Sequence, residues 1–317
     1  MYIVLHYIIL YYTMLISVIK YQITMFNNII EIEQKYDISF KKFDQKEHII
    51  ILEIFNEQTN YNDDYSNQPN ILYFFGLHCR LKEDYNKMKE YYLKAIELND
   101  SNAMIRLGDY YQDVEKDYDK MKEYYLKAIE LNGSDATIRL GHYYHYIEKD
   151  YNKMKEYYLK AIELNNSDAM NNLGHYYHFI EKDYNKMKEY YLKAIELNNS
   201  NAMTNLGNYY QDVEKNYDKM KEYFLKAIEL NDSYAMNNLG HYYHFIEKDY
   251  NKMKEYYLKA IELNNSNAMT NLGDYYQDVE NNHDKMKEYF LKAIELNDLY
   301  AMNNLGYYYK YIEKDYN

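Results

Sequence analysis

Three histidine pairs, His142/His145, His175/His178 and His241/His244, are the densest chemistry-bearing feature of this chain. Imidazoles three positions apart share a helix face, so each pair could offer two ligands to a zinc ion. A closed site needs two more, and the single cysteine, Cys79, supplies no thiolate set. The plainer account is six solvent-facing imidazoles, and we read neither a metal site nor a cofactor. An aromatic ring follows each pair: Tyr146, Phe179 and Phe245. Other stretches carry acids and amides at the same positions: Asp109/Gln112/Asp113, Asn208/Gln211/Asp212 and Asp274/Gln277/Asp278. No phosphate-cradling glycine loop, metalloprotease helix motif or nucleophile elbow accompanies them. These groups suit recognition rather than catalysis, so the chain is not read as an enzyme.

The elements that position these residues repeat. Leu-Gly-x-Tyr-Tyr returns every 33 residues, with its glycine at Gly108, Gly141, Gly174, Gly207, Gly240, Gly273 and Gly306 and a degenerate forerunner at Gly76. A fixed period of this size is the signature of stacked supersecondary units, each touching only its neighbours. Ala169, Leu173, Tyr176, Tyr177 and Ile180 recur at steps of three, four and seven and predict helix A. Tyr184, Met187, Tyr191, Ala194 and Leu197 predict helix B in the same way. A helices should begin near Ile71, Ala103, Ala136, Ala169, Ala202, Ala235, Ala268 and Ala301, and B helices near Tyr85, Tyr118, Tyr151, Tyr184, Tyr217, Tyr250 and His283.

Punctuation agrees with that division. Gly133, Asn166, Asn199, Asp232, Asn265 and Asp298 tolerate left-handed backbone and are expected to stop helix B. Ser134, Ser167, Ser200, Ser233 and Ser266 are then the expected N-caps of helix A. Asp150, Asp183 and Asp249 precede helix B as caps of the same kind. A glycine inside helix A costs about 1 kcal/mol relative to alanine. Its repetition predicts close approach of a neighbouring helix, with Ala128, Ala161 and Ala194 as small partners. The fold class is all-α: a right-handed α-solenoid of antiparallel helix pairs with a 33-residue period, covering residues 70–317 as seven full units plus a final single helix.

On these residues the chain resembles the tetratricopeptide superfamily, whose 34-residue helix–turn–helix carries Leu-Gly-x-x-Tyr in its first helix. Leu173, Gly174 and Tyr177 fit that pattern, as do Tyr191 and Ala194 in the second helix. The proline that follows the second helix in that family is absent. Lys160 and Ala161 lead to Ala169, Leu173 and Gly174 with the short spacing of the Sel-one-like branch. The Gly-x-Gly-Val loop of that branch is replaced by the compact Glu181-Lys-Asp183. The Tyr- and Asn-rich phrasing is also similar to repeat proteins of giant DNA viruses of amoebae. The superfamily resemblance implies a non-enzymatic scaffold that binds other proteins or extended peptides on its concave helix A surface.

Helix B barely changes from unit to unit, whereas helix A changes at positions beside its packing stripe, Ala103–Leu107–Tyr110–Val114. Those positions hold the His/aromatic and acid/amide sets above and form the expected groove. Asn172, Asn205, Asn238, Asn271 and Asn304 precede Leu-Gly and, by the resemblance, are placed to hydrogen-bond a bound backbone. Arg106 and Arg139 replace that asparagine in two copies. Free surface drift with no selected ligand is the competing account. A structural or self-associating repeat, joined through the Tyr-rich stretch near Tyr307–Tyr311, is the alternative function. Oligomeric state is not legible.

Net charge is −13, spread over the units rather than gathered in a tail. It gives no basic footprint for nucleic acid. Residues 1–19 contain no Asp, Glu, Lys or Arg, a length that suits a membrane span or a signal sequence. No basic n-region or small-residue cleavage site supports either, and a start at Met25 is a third reading. Residues 1–25 are therefore set apart as an apolar N-terminal segment, and 26–69 as an N-terminal region and linker, with Ile49–Phe55 a short helix or strand. The expected location is the cytoplasm (the host's, if the source is viral), with membrane anchoring by residues 1–19 as the alternative. Carboxylates near the histidines should raise the imidazole pKa values, repulsion within each pair should oppose this, and the two effects should largely cancel in stability.

Overall fold

The structure, a computed structural model, describes residues 45–313 apart from positions 58, 60, 62 and 132. The readings of residues 1–25, including the apolar segment and the start at Met25, lie outside the described residues. Every regular element among the described residues is helical. The described residues group into two compact units, divided between Tyr143 and Tyr144.

The first unit holds α1 (Gln45–Phe55), a short 3-10 turn (Asp63–Tyr65), α2 (Pro69–Leu81), α3 (Tyr85–Glu97), α4 (Ser101–Tyr110), α5 (Tyr118–Glu130) and α6 (Ser134–His142). The second holds α7 (Tyr151–Glu163), α8 (Ser167–Tyr176), α9 (Tyr184–Glu196), α10 (Ser200–Asp212), α11 (Tyr217–Glu229), α12 (Ser233–Tyr242), α13 (Tyr250–Glu262), α14 (Ser266–Asp278), α15 (His283–Glu295) and α16 (Leu299–Tyr308). Even numbers from α2 are A helices and odd numbers from α3 are B helices. The B helices begin where the sequence places them. Residues 45–55 form a helix, and the segment read as linker gives way to α2 at Pro69, whose fixed φ suits a first helical position.

Each helix B buries Met, an aromatic ring and Ala at steps of four and three, as in Met187, Tyr191 and Ala194. Burying one such ring side chain stabilises the fold by roughly 1.5–3 kcal/mol. The motif glycine receives that ring. A Cβ on Gly174 would lie 2.6 Å from a Tyr191 ring carbon, and one on Gly273 2.6 Å from a Phe290 ring carbon. The expected glycine–alanine contact is thus corrected: the small residue makes room for an aromatic face.

The helix junctions shift by one residue. Left-handed backbone falls on Asn99, Asn165, Asn198, Asn231, Asn264 and Asn297, not on the residues after them. Those following residues are the caps of helix A. Asp100 accepts the Ala103 N–H at 2.7 Å, and Asn199 accepts that of Ala202 at 2.9 Å. The serines are the first helical residues, because Asn or Asp reaches the N3 amide while the preceding Asn takes the left-handed turn. Asp150, Asp183 and Asp249 cap helix B as expected.

Several A helices widen at their ends into a π-turn, at Tyr111–Glu115, Tyr177–Glu181, Tyr243–Glu247 and Tyr309–Glu313. A left-handed lysine follows three of these, at Lys116, Lys182 and Lys248. These turns end the apolar stripes early. Val114, Ile180 and Leu197, expected in the core, are exposed because each lies at a helix end beyond the packed face.

Candidate functional site

The variable positions of helix A divide into buried and exposed groups. Asp109, expected at the groove surface, is only 5% exposed and sits at the centre of a polar cluster in the first unit. Its carboxylate accepts the Tyr125 hydroxyl at 2.7 Å and meets Arg139 at 3.1 Å and Arg106 at 3.6 Å. Arg106 also donates to the Tyr73 hydroxyl at 3.3 Å. The cluster binds α2, α4, α5 and α6 together, so Asp109 is corrected from ligand contact to internal counter-ion. The sequence named Asp109 and both arginines without joining them, because Tyr125 and Arg139 reach Asp109 from other helices.

In the second unit the second histidine of each pair is walled in by rings. His178 stacks on Phe179 at 4.1 Å and meets Tyr184 and Tyr209 edge-on at 5.9 and 5.6 Å. His244 repeats this with Phe245, Tyr250 and Tyr275. His145 stacks on Tyr146 at 4.3 Å and is 8% exposed, which corrects its expected solvent-facing position. The last ring of each box comes from the next repeat, so these histidines also join successive repeats. Of the first histidines, His175 and His241 rest on Phe179 and Phe245 at 4.5 Å; His241 is exposed, and His175 and His142 are half-buried.

Burial is the main influence on all of these imidazoles in the second unit. It lowers the pKa of His145, His175, His178, His241 and His244, with Asp212 and Asp278 only partly opposing at His178, His241 and His244. The expected balance of carboxylate attraction and histidine repulsion is corrected by burial: the low-dielectric ring box disfavours imidazolium more than distant carboxylates favour it. Among the described residues no three His, Cys, Asp or Glu side chains converge as metal ligands.

The asparagines before Leu-Gly donate to polar side chains of the preceding repeat. Asn205 donates to Asn171 at 2.9 Å, Asn238 to Asn208 at 2.9 Å, Asn271 to Asn237 at 2.9 Å and Asn304 to Asp274 at 3.3 Å. Their amide N–H groups are thereby used between units, which corrects the picture of amides held ready for a peptide. Asn172 is half-buried. Asp274, in the repeat position of Asp109, is held up to about 6, first by burial and then by the Asp278 charge.

What stands out on the A-helix ends is a set of exposed groups. Phe179, Phe245 and Tyr146 project into solvent beside Ile180, Ile246 and Ile147. Asp113, Asp212 and Asp278 are exposed in the alternate copies, each accepting from the preceding glutamine, Gln112, Gln211 or Gln277, at 3.1–3.2 Å. The sequence named these rings and acids but not the isoleucines, which it assigned to the core.

A cavity of about 360 Å³ in the first unit was not anticipated. Tyr61, Phe75, His78, Cys79, Lys82 and Tyr91 line it. Burial, then the Asp84 charge, pushes the Cys79 thiol up, so it offers little thiolate at neutral pH. No described helix is long and apolar enough to cross a membrane.

Comparison with known families matches the tetratricopeptide repeat at residues 69–102, 101–135, 136–168, 167–201, 200–234, 233–267 and 266–298, and the Sel1 repeat at residues 299–311. Among solved structures, a Sel1 repeat protein from Oxalobacter formigenes is 25% identical, with a TM-score of 0.56 over 70% of this chain and 98% of that one. A protective antigen of uropathogenic Escherichia coli with an SLR fold is 23% identical, with a TM-score of 0.51 over 83% of this chain and 59% of its own. Yeast Tom70 is 18% identical, with a TM-score of 0.63 over 84% of this chain and 65% of its own. Comparison with curated proteins returned no match.

Proposed function

The chain belongs to the tetratricopeptide repeat family, and from that premise we propose that it is a non-enzymatic scaffold that binds other proteins on its A helices. One observation carries this reading. A fixed frame of Met, aromatic, Ala and Gly residues presents exposed side chains that change chemistry from unit to unit. Aromatic–aliphatic pairs such as Phe179/Ile180 alternate with acids such as Asp212 on one repeat position. Rings exposed on a rigid helix lose little conformational entropy on binding, which suits them as anchors in protein interfaces. The partner surface this favours carries apolar pockets spaced with basic groups. The ladder of Asn205, Asn238, Asn271 and Asn304 belongs to the frame of that surface rather than to its contact layer.

The test is affinity capture from a cell extract with the intact chain and with a Phe179→Ala, Phe245→Ala variant of equal helicity. We expect partners retained by the intact chain to be lost from the variant. Equal recovery would remove these rings from the interface.

A further inference from the structure

The solvent face of each B helix carries one leucine between two glutamates. In the second unit these are Glu189/Leu192/Glu196 in α9, Glu222/Leu225/Glu229 in α11 and Glu255/Leu258/Glu262 in α13. The glutamates stand three before and four after the leucine, so each trio shares one helix face. All six glutamates are exposed, and the leucines keep 42–44% of their surface in solvent. The charge at each leucine is negative. In α9 Lys186, Lys188 and Lys193 pair with Asp183, Glu214 and Glu189, and in α13 Lys252, Lys254 and Lys259 pair with Asp249, Glu280 and Glu255. The second glutamate of each trio, Glu196 or Glu262, is left in excess.

The trio stays fixed while its surroundings change. Every described B helix carries it, from Glu90/Leu93/Glu97 to Glu288/Leu291/Glu295. Over the same copies the buried ring switches from Tyr191 to Phe224, and the second residue of the helix from Asn185 to Asp218. A solvated helix face can trade leucine for another good helix former at little cost, so helix stability does not account for this constancy. Contact from outside does. Successive A helices hydrogen-bond through their asparagines, so the repeats and their leucines step by the distance between packed helices, about 10 Å. An α-helix laid along that line advances as far in about seven residues, and it satisfies its own backbone hydrogen bonds where no strand edge is on offer. We propose that the leucine line of α9, α11 and α13 docks a basic amphipathic helix of another protein, with an aliphatic residue at about every seventh position and Lys or Arg on either side. A second copy of this face is unsuited, because it would set glutamate against glutamate. The line lies on B helices, so it and the A-helix rings at Phe179 and Phe245 can fail separately.

The test uses the full 317-residue chain and a fluorescent peptide of three Leu-Lys-Ala-Gln-Ala-Ala-Lys heptads, with a scrambled peptide of the same composition beside it. A Leu192→Gln, Leu225→Gln, Leu258→Gln variant keeps the charge and the helix propensity. A Glu196→Gln, Glu229→Gln, Glu262→Gln variant keeps the leucines and removes the excess charge. Anisotropy titration should give saturable binding to the intact chain, weakened by about tenfold or more in either triple variant at unchanged helicity, and equally for the scrambled peptide. The Phe179→Ala, Phe245→Ala variant should bind the peptide as the intact chain does. No binding to the intact chain, undiminished affinity in either triple variant, or equal affinity for the scrambled peptide would overturn the proposal. Binding lost from the phenylalanine variant and kept by the leucine variant would move the peptide to the A helices and overturn it as well.

Discussion

Asp109 and Asp274 hold one repeat position, five periods apart, in opposite surroundings. Asp109 has a hydroxyl and two guanidinium groups. At Asp274 the tyrosine is replaced by Phe290 and the arginines by Asn271 and Asn304, leaving one amide at 3.3 Å and a like charge at Asp278. The ring still fills the glycine notch in both. The frame therefore constrains shape at this position and leaves polarity free. Tyr and Phe are equivalent to the glycine but not to the aspartate.

Breaking the better-served site should have the largest effect. Asp109→Ala leaves the Tyr125 hydroxyl and two arginines without their shared acceptor, a change expected to cost about 3 kcal/mol. Hydrogen exchange should show protection falling in α4 to α6 and unchanged in α9 to α15. Tyr125→Phe removes one charge-assisted hydrogen bond and should cost about 1.5–2 kcal/mol. The matching change Tyr191→Phe should be near neutral, since that hydroxyl is buried without a partner. An equal loss for the two by thermal unfolding would refute the assignment of Tyr125 as a specific donor.

Asp274→Asn sharpens the comparison from the other side. The folded pKa of about 6 lies above an unfolded value near 3.9. The carboxyl thus favours folding when protonated, and that contribution is lost as pH rises through about 6. The variant should stabilise the chain by about 1 kcal/mol at pH 7, after allowing for partial exposure, and by nothing at pH 4. Denaturant titration at the two pH values checks this.

The boxed histidines give the smallest effect, with opposite sign. Their folded pKa values lie below the unfolded value, so the unfolded chain binds more protons during their titration. Stability should be full above about pH 6.5 and decline as pH falls below it. In an Asp274→Asn background that decline should shrink when His178 and His244 become Phe. A slope unchanged by the double substitution would show that other groups control it.

The same contrast explains what the sequence could reveal. Period and helix B boundaries are legible, because Met, Tyr and Ala recur at spacings that only a one-sided helix uses; the glycine signals a close approach but not that an aromatic ring fills it. The junctions were misplaced by one residue, because Asn, Asp and Ser all suit caps and only backbone φ separates the left-handed Asn165 from the cap Asn166. Among site residues, Phe179, Phe245 and Asp212 lie at the surface as read, whereas Asp109 and His145 do not. Their burial depends on rings and arginines from helices up to 31 positions away, and a single helix carries no trace of that.

The helices α7, α9 and α13 share one sequence, Tyr-Asn-Lys-Met-Lys-Glu-Tyr-Tyr-Leu-Lys-Ala-Ile-Glu. Lysines such as Lys221 reach a glutamate of the next repeat, here Glu247. A chain cut within one of these helices and rejoined at the same residue of another would meet the same side chains on both sides of the splice. Whole periods can therefore be lost or gained by recombination in the coding DNA without a new interface being invented. The same sameness carries a folding hazard, since a helix can pair with the wrong, identical neighbour during refolding. Removal of residues 184–249, which rejoins Asp183 directly to Tyr250, should leave a shorter array of the same helix content per residue.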